Sequence, residues 1–265
     1  MCNHAQHFFD RGWCLFERDT EILDWVSGAL EPARAARRRP EQAGWLRYQQ
    51  TWFAGVNALA NDDSGAVASS GALRGAVIDF IADTLGLVDF AWDRAQVSIC
   101  YPGYPRPMAG ESEARSRYRR DRDAAHVDGL LREGPGMRRH LREHHAFILG
   151  IPMVEYDAEA SPFSLWEGSH EIIRASLAER FAGVSPEYWG EEDITEAYQA
   201  ARERVFADCR RIEIHARPGE TYLAHRLSVH GMSPWGEAAR AGPDGRMICY
   251  FRPAILDPYH WLHGP

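Results

Sequence analysis

Apolar residues recur at helical spacing in two stretches near the start of the chain. In 18–38, Ile22, Leu23, Trp25, Val26 and Leu30 fall on one stripe behind Asp19-Thr20, a suitable cap. In 69–87, Leu73, Val77, Phe80, Ile81 and Leu85 form a second apolar face. The pattern then changes to short apolar or alternating runs at 95–101, 146–156, 163–168, 211–216, 220–226 and 246–253. These read as strands, several of them bounded by turn formers such as 102-PGYPRP-107 and Pro218-Gly219. Helical stretches return between them, in 169–181 and 192–209. The predicted order is mainly helical support over 1–94, then a mostly antiparallel β core over 95–265 with a helical insertion at about 170–209. No internal repeat or linker divides the 265 residues, so a single domain is expected.

Composition narrows the function classes. Hydrophobic residues make up 45% and charged residues 26%, ordinary for a globular protein. The formal net charge of −8 argues against a general nucleic-acid binder. The sequence contains no lysine, so every basic side chain apart from histidine is arginine, the residue best suited to gripping carboxylate or phosphate. Cys2, Cys14, Cys100, Cys209 and Cys249 are odd in number and form no C-x-x-C, which suggests neither a disulfide framework nor a zinc ribbon. With no basic-then-apolar leader and no long apolar run, the expectation is a cytoplasmic protein without membrane or nucleic-acid partners. G-x-S-x-G, P-loop and G-x-G-x-x-G motifs are all missing, which removes support for hydrolase-elbow, NTPase and Rossmann chemistry.

The feature with chemical content is His126-Val127-Asp128, with His230 following 102 residues after Asp128. Residues i and i+2 of a strand face the same way, so His126 and Asp128 can reach one ion. Two imidazoles and one carboxylate can hold non-haem iron(II) on one face and leave the other positions open. Taken alone, the H-x-D pair is better read as an exposed histidine and aspartate in a turn before Gly129.

The surroundings of the pair carry a resemblance. HVDG, Gly168-Ser169-His170, the turn Pro218-Gly219-Glu220, and His225 with His230-Gly231 occur in that order. This ordered set resembles the phytanoyl-CoA dioxygenase-like family of Fe(II)/2-oxoglutarate-dependent oxygenases, over roughly the second half of the chain. The resemblance implies a double-stranded β-helix (jelly-roll) core, with His126, Asp128 and His230 as metal ligands. It also implies Fe(II) as cofactor, 2-oxoglutarate and O2 as co-substrates, and hydroxylation of a small-molecule substrate with release of succinate and CO2. The family places an arginine for the distal carboxylate of 2-oxoglutarate on the strand after the distal histidine. Arg246, 16 residues beyond His230, is the first choice, with Arg240 and Arg252 as competitors. The retained carboxylate of Asp128 disfavours halogenation, but desaturation, epoxidation and ring closure stay open. The chain departs from the family after His230, where Trp235 stands near an expected asparagine and the loop 236–245 is long.

Other readings stay beside this one. A cupin-type metalloenzyme that needs no 2-oxoglutarate, or a non-catalytic ligand-binding relative, would use the same barrel. His225 reads as a core or supporting histidine, His170 as a turn residue, and 139-RHLREHH-145 as a surface helix without the H-E-x-x-H glutamate. The arginine-rich 114–123 reads as a solvated loop or, more sharply, as an anion-binding rim. Tyr101, Tyr104, Trp166 and Trp235 are candidate pocket aromatics.

Overall fold

The computed structural model describes residues 3–88 and 90–265; Cys2 lies outside them. The chain opens with α1 (His4–Arg11), β1 (Trp13–Phe16) and α2 (Thr20–Arg38). Two short strands, β2 (Leu46–Arg47) and β3 (Trp52–Phe53), precede α3 (Ala76–Asp83) and β4 (Gln96–Cys100). Next come α4 (Glu113–Asp121), the hairpin β5 (Leu130–Glu133) and β6 (Arg138–Leu141), then β7 (Phe147–Pro152) and β8 (Phe163–Trp166). Helices α5 (Ser169–Arg180) and α6 (Thr195–Asp208) intervene before β9 (Arg211–Ile214), β10 (Thr221–His225), β11 (His230–Met232), β12 (Arg246–Phe251) and α7 (Pro258–His263).

The major sheet runs β1-β10-β7-β12-β4-β3-β2 and the minor sheet β11-β8-β9, with antiparallel pairing throughout. The two sheets face each other as a double-stranded β-helix, the jelly-roll architecture. Cys100, Ile148, Tyr222, Ile248 and Tyr250 of the major sheet meet Phe163, Leu165 and Ile214 of the minor one. The alternate residues Val97, Ile99, Leu149, Leu223, Met247 and Phe251 face outward against Trp25, Ala29 and Ala33 of α2 and Val77 and Ile81 of α3. A sheet covered on both faces is buried at every position, which is why β7 reads as an apolar run and why Gln96 and Ser98 of β4 and Arg246 of β12 are buried polar exceptions. A third cluster joins α5 and α6 to Val127, Leu130, Leu227 and Val229.

The N-terminal stretch holds strands as well as the expected helices. β1 extends the major sheet by pairing with β10, Cys14 opposite Leu223. Four residues show no periodicity that separates a strand from a helix, so the pairing partner decides. Residues 139–141, expected in a surface helix over 139–145, fall in strand β6 instead, because Gly134-Pro135-Gly136 turns the chain back, with Gly134 at φ 66 and Met137 at φ 49. The arginine-rich stretch is helical, its first turn capped by Ser112. α3 starts only at Ala76, after Gly75 at φ 114.

One glycine ties the fold to the site. Gly150 lies opposite Tyr222, and a Cβ there would collide with the Tyr222 ring. The bare backbone lets that ring lie across β7 and donate its hydroxyl hydrogen to Tyr250 at 2.8 Å. Gly150→Ala is therefore expected to lower unfolding free energy by about 2 kcal/mol, the usual cost of overpacking. Urea denaturation reads this directly, and an unchanged midpoint would show that Tyr222 can move without penalty.

Candidate metal centre

The geometry begins with the backbone. His126 and His230 form an antiparallel bridge at the open edge of the minor sheet, His126 N–H to His230 O at 2.8 Å and His230 N–H to His126 O at 3.0 Å. Residues that exchange both hydrogen bonds stand directly opposite and present their side chains to one face. The two imidazole centroids are 4.7 Å apart. Asp128, two residues past His126, completes the group, and one ligand atom from each of the three lies within 4.8 Å of the others.

Both rings are held in the tautomer a metal needs. His126 Nδ1 lies 3.0 Å from the Ala124 carbonyl and His230 Nδ1 2.9 Å from that of Ser228. A carbonyl can only accept, so each Nδ1 carries the hydrogen and each Nε2 keeps its lone pair. Those Nε2 atoms sit 3.1 and 3.6 Å from the two Asp128 oxygens. Phe163 stacks on His230 at 5.4 Å between centroids and fixes its plane. Gly231 follows because a Cβ there would strike the Asp123 carbonyl, where the chain passes close behind the centre.

Arg252 is the residue that sequence reasoning undervalued. Its Nη1 lies 3.1 Å from Asp128 Oδ2 and its Nη2 donates to Gln96 Oε1 at 2.8 Å. Burial opposes ionisation of Asp128, but Arg252 and then His230 outweigh it and hold the carboxyl well below its usual range. Around His126 the packed protein works against the charged ring, while the hydrogen bond to Asp128 and its charge raise the pKa overall.

Arg246 opens β12 and is fully buried. Its Nη2 donates to the Tyr250 hydroxyl at 3.0 Å, its Nη1 lies 3.7 Å from Met232 Sδ, and its Nε has no hydrogen-bond partner. Tyr156 and Tyr250 flank the guanidinium at 5.9 and 6.0 Å. Burial pushes the Cys100 thiol and the Tyr156 hydroxyl up to about 12 and Tyr222 well above its ordinary value, so these neighbours stay neutral. No carboxylate among the described residues pairs with Arg246. Tyr250 and Met232, which touch it, line a cavity of about 360 Å³ that also contains His126, Asp128 and His230. Arg240, the other competitor, is exposed in the loop.

The remaining candidates fall elsewhere. His225 is buried against Arg174 and His170, accepts the Leu227 N–H, and stays outside the metal group. His170 reaches the Phe9 carbonyl from the first turn of α5. Tyr104 lines the cavity, whereas Trp166 packs on Phe206 and Trp235 closes its own loop onto Ala239. Tyr48, Trp52, Phe163 and Met232 line the cavity without having stood out in the sequence, since only contact across sheets distinguishes them from other core residues. Cys100, Cys209 and Cys249 are free thiols, and no described helix is long and apolar enough to cross a membrane.

No family profile and no curated protein sequence matches the chain. Solved structures match along its whole length. One is SnoK, described as a non-heme alpha ketoglutarate dependent carbocyclase from nogalamycin biosynthesis. It is 14% identical with a TM-score of 0.50, covering 100% of this chain and 92% of SnoK. Another is AviO1 from Streptomyces viridochromogenes, 10% identical with a TM-score of 0.50, covering 99% of this chain and 95% of AviO1. At these identities the likeness concerns the fold.

The donor set suits a divalent ion of borderline hardness, since two neutral imidazoles and one carboxylate converge with the cavity in front of them. Ligand imidazoles must be deprotonated, so affinity for Co(II) or Zn(II) is expected to fall as pH drops from about 8 to about 6, by up to tenfold per protonated ring per unit. The raised pKa of His126 starts that loss at a higher pH than an ordinary histidine would. Calorimetric titration at several pH values checks it, and pH-independent binding would mean that the ion sits elsewhere.

Proposed function

We propose that the chain is an Fe(II)/2-oxoglutarate-dependent dioxygenase of the phytanoyl-CoA dioxygenase-like kind. It would hydroxylate a small organic substrate, consuming O2 and releasing succinate and CO2. In this reading the whole chain acts as one oxygenase domain, with His126, Asp128 and His230 as the iron ligands and Arg246 as the 2-oxoglutarate anchor. The likeness of fold to SnoK, an alpha ketoglutarate dependent enzyme by its description, is consistent with it.

The observation that carries the reading is Arg246. A guanidinium stays charged at any physiological pH, and burying one without a counter-ion costs several kcal/mol. Its neighbours are neutral hydroxyls, a thiol and a thioether, with one N–H left without a partner. A co-substrate carboxylate would meet that deficit, and Tyr250 and Met232, which touch Arg246, line the cavity that holds the His-Asp-His group. A 2-oxoglutarate-independent enzyme on this barrel would have no use for such a charge.

Iron held by the three ligands would supply oxidative decarboxylation of 2-oxoglutarate and insertion of oxygen into a substrate C–H bond. The chain's own contribution is positional. Nδ1–H bonds keep both imidazoles aimed, and Arg252 with Gln96 holds Asp128 in one rotamer. Tyr222 and Tyr250 fix the Arg246 fork through linked hydroxyls. Trp52, Ile148, Phe163 and Met232 give the cavity apolar walls that keep bulk water from the reacting atoms.

Anaerobic addition of Fe(II) and 2-oxoglutarate should produce a visible charge-transfer band. His126→Ala should abolish it. Arg246→Ala should weaken 2-oxoglutarate binding by about 3 kcal/mol, roughly 100-fold in Kd. Iron binding without the band would favour the 2-oxoglutarate-independent alternative, and absence of iron binding would sink the metalloenzyme reading.

A further inference from the structure

A second region near the centre holds more positive charge than it neutralises. His126 and Asp128 also border a larger cleft of about 1000 Å³, whose wall includes Arg132, Arg139 and Arg202. Arg132 and Arg139 stand directly opposite each other on β5 and β6, on the face that carries the buried pair Leu130 and Leu141. Like charges in that register repel and lower stability. The Arg139 guanidinium lies 4.7 Å over the ring of Tyr198, and Arg202 approaches the same ring at 5.6 Å and Tyr118 at 5.1 Å. Burial pushes the pKa of Arg139 down, and Arg132 and Arg202 add to the effect.

The acids nearby already have partners. Arg138 pairs with Asp193 and Glu196, Arg142 with Glu133, His145 with Glu143, and Arg252 with Asp128. Asp93 accepts the backbone N–H of Arg252. Among the described residues, no carboxylate pairs with Arg132, Arg139 or Arg202. Three of the four arginines of α4 differ in this respect, since Arg117, Arg119 and Arg120 pair with Glu113, Glu111 and Asp121. The Tyr198 hydroxyl accepts the N–H of Val127 at 3.0 Å, which ties the ring under both guanidiniums to the segment between two metal ligands.

We propose that Arg132, Arg139 and Arg202 form a receptor for an oxyanionic group, phosphate or carboxylate, carried by the substrate. Planar guanidiniums converging on one cleft match the oxygens of such a group, and its charge removes the repulsion between them. Tyr198 sets the distance from the receptor to the centre, so the oxidised carbon lies at the other end of the molecule from the anion. The assignment to the substrate rests on reading the centre as an oxygenase; the binding of the anion itself does not.

The test is calorimetric titration of the full chain with inorganic phosphate and, separately, acetate at low ionic strength. The protein is first loaded anaerobically with Fe(II) and 2-oxoglutarate, so that Arg246 is occupied; if no charge-transfer band forms, the metal-free protein is used. Expected is one saturable site, weakened at least tenfold by Arg139→Gln and by Arg202→Gln, less by Arg139→Lys, and unchanged by a double Arg115→Gln/Arg117→Gln variant on α4. Phosphate stronger than acetate marks a phosphate-bearing substrate, and the reverse a carboxylate. Arg132→Gln should raise Tm without anion and shrink the rise that phosphate produces, a sign opposite to loss of a merely structural contact. Absence of binding, or equal weakening by the α4 variant, overturns the receptor. Phosphate binding without a charge-transfer band would leave the receptor standing and remove the 2-oxoglutarate reading; a band without phosphate binding would do the reverse.

Discussion

The reciprocal backbone pair between His126 and His230 is the constraint on which the site depends. Two hydrogen bonds of 2.8 and 3.0 Å join residues that are 104 positions apart, at the edge of the minor sheet. Once they are opposite, the pleat of the strand leaves the imidazoles no choice but to share a face. Everything nearby serves that register. Gly231 permits the close passage of Asp123, Phe163 packs flat on His230, and the carbonyls of Ala124 and Ser228 fix the rings. A one-residue slip would send a ligand to the opposite face, so register and metal affinity stand or fall together.

A second principle is the placing of positive charge. Many arginines of this lysine-free chain have acidic or carbonyl partners, and Arg226, fully buried, donates to the carbonyls of His260, Trp261 and Gly264 to hold α7. Two groups beside the centre have no carboxylate partner, though Arg139 donates to the Leu130 carbonyl. Arg246 sits among neutral groups on one side, and Arg132, Arg139 and Arg202 face one another on the other. Buried charge without a counter-ion costs stability, so a fully buried, unpaired Arg246 beside the donor set is where function shows through the energetics.

Legibility in the sequence followed the range of the interaction. Strands β4, β7 and β12 were readable from short apolar or alternating runs, and α2, α5 and α6 from their periodicity, because each signal is local. β1, β2, β3 and β11 were not, since segments of two to four residues become strands only when a partner supplies the hydrogen bonds. Residues 139–141 of β6 looked helical because their charged residues fit either period; the Gly134-Pro135-Gly136 turn was the missed signal. At the site, the H-x-D spacing and the ordered glycine turns pointed to His126, Asp128, His230 and Arg246. Arg252 was judged only a competitor for 2-oxoglutarate, because nothing in the linear order reveals that it reaches Asp128.

The sequence by itself determined the residue types capable of chemistry, the strand and helix runs long enough to show a period, and the order of motifs that resembles a known oxygenase family. The tertiary structure alone decided which histidines meet, which arginines lack a counter-ion, and that Arg132, Arg139 and Arg202 from β5, β6 and α6 share a cleft with His126 and Asp128. The reason is physical: periodicity is a property of neighbouring residues, whereas charge pairing and metal geometry depend on distances across the sheet that sequence separation does not encode.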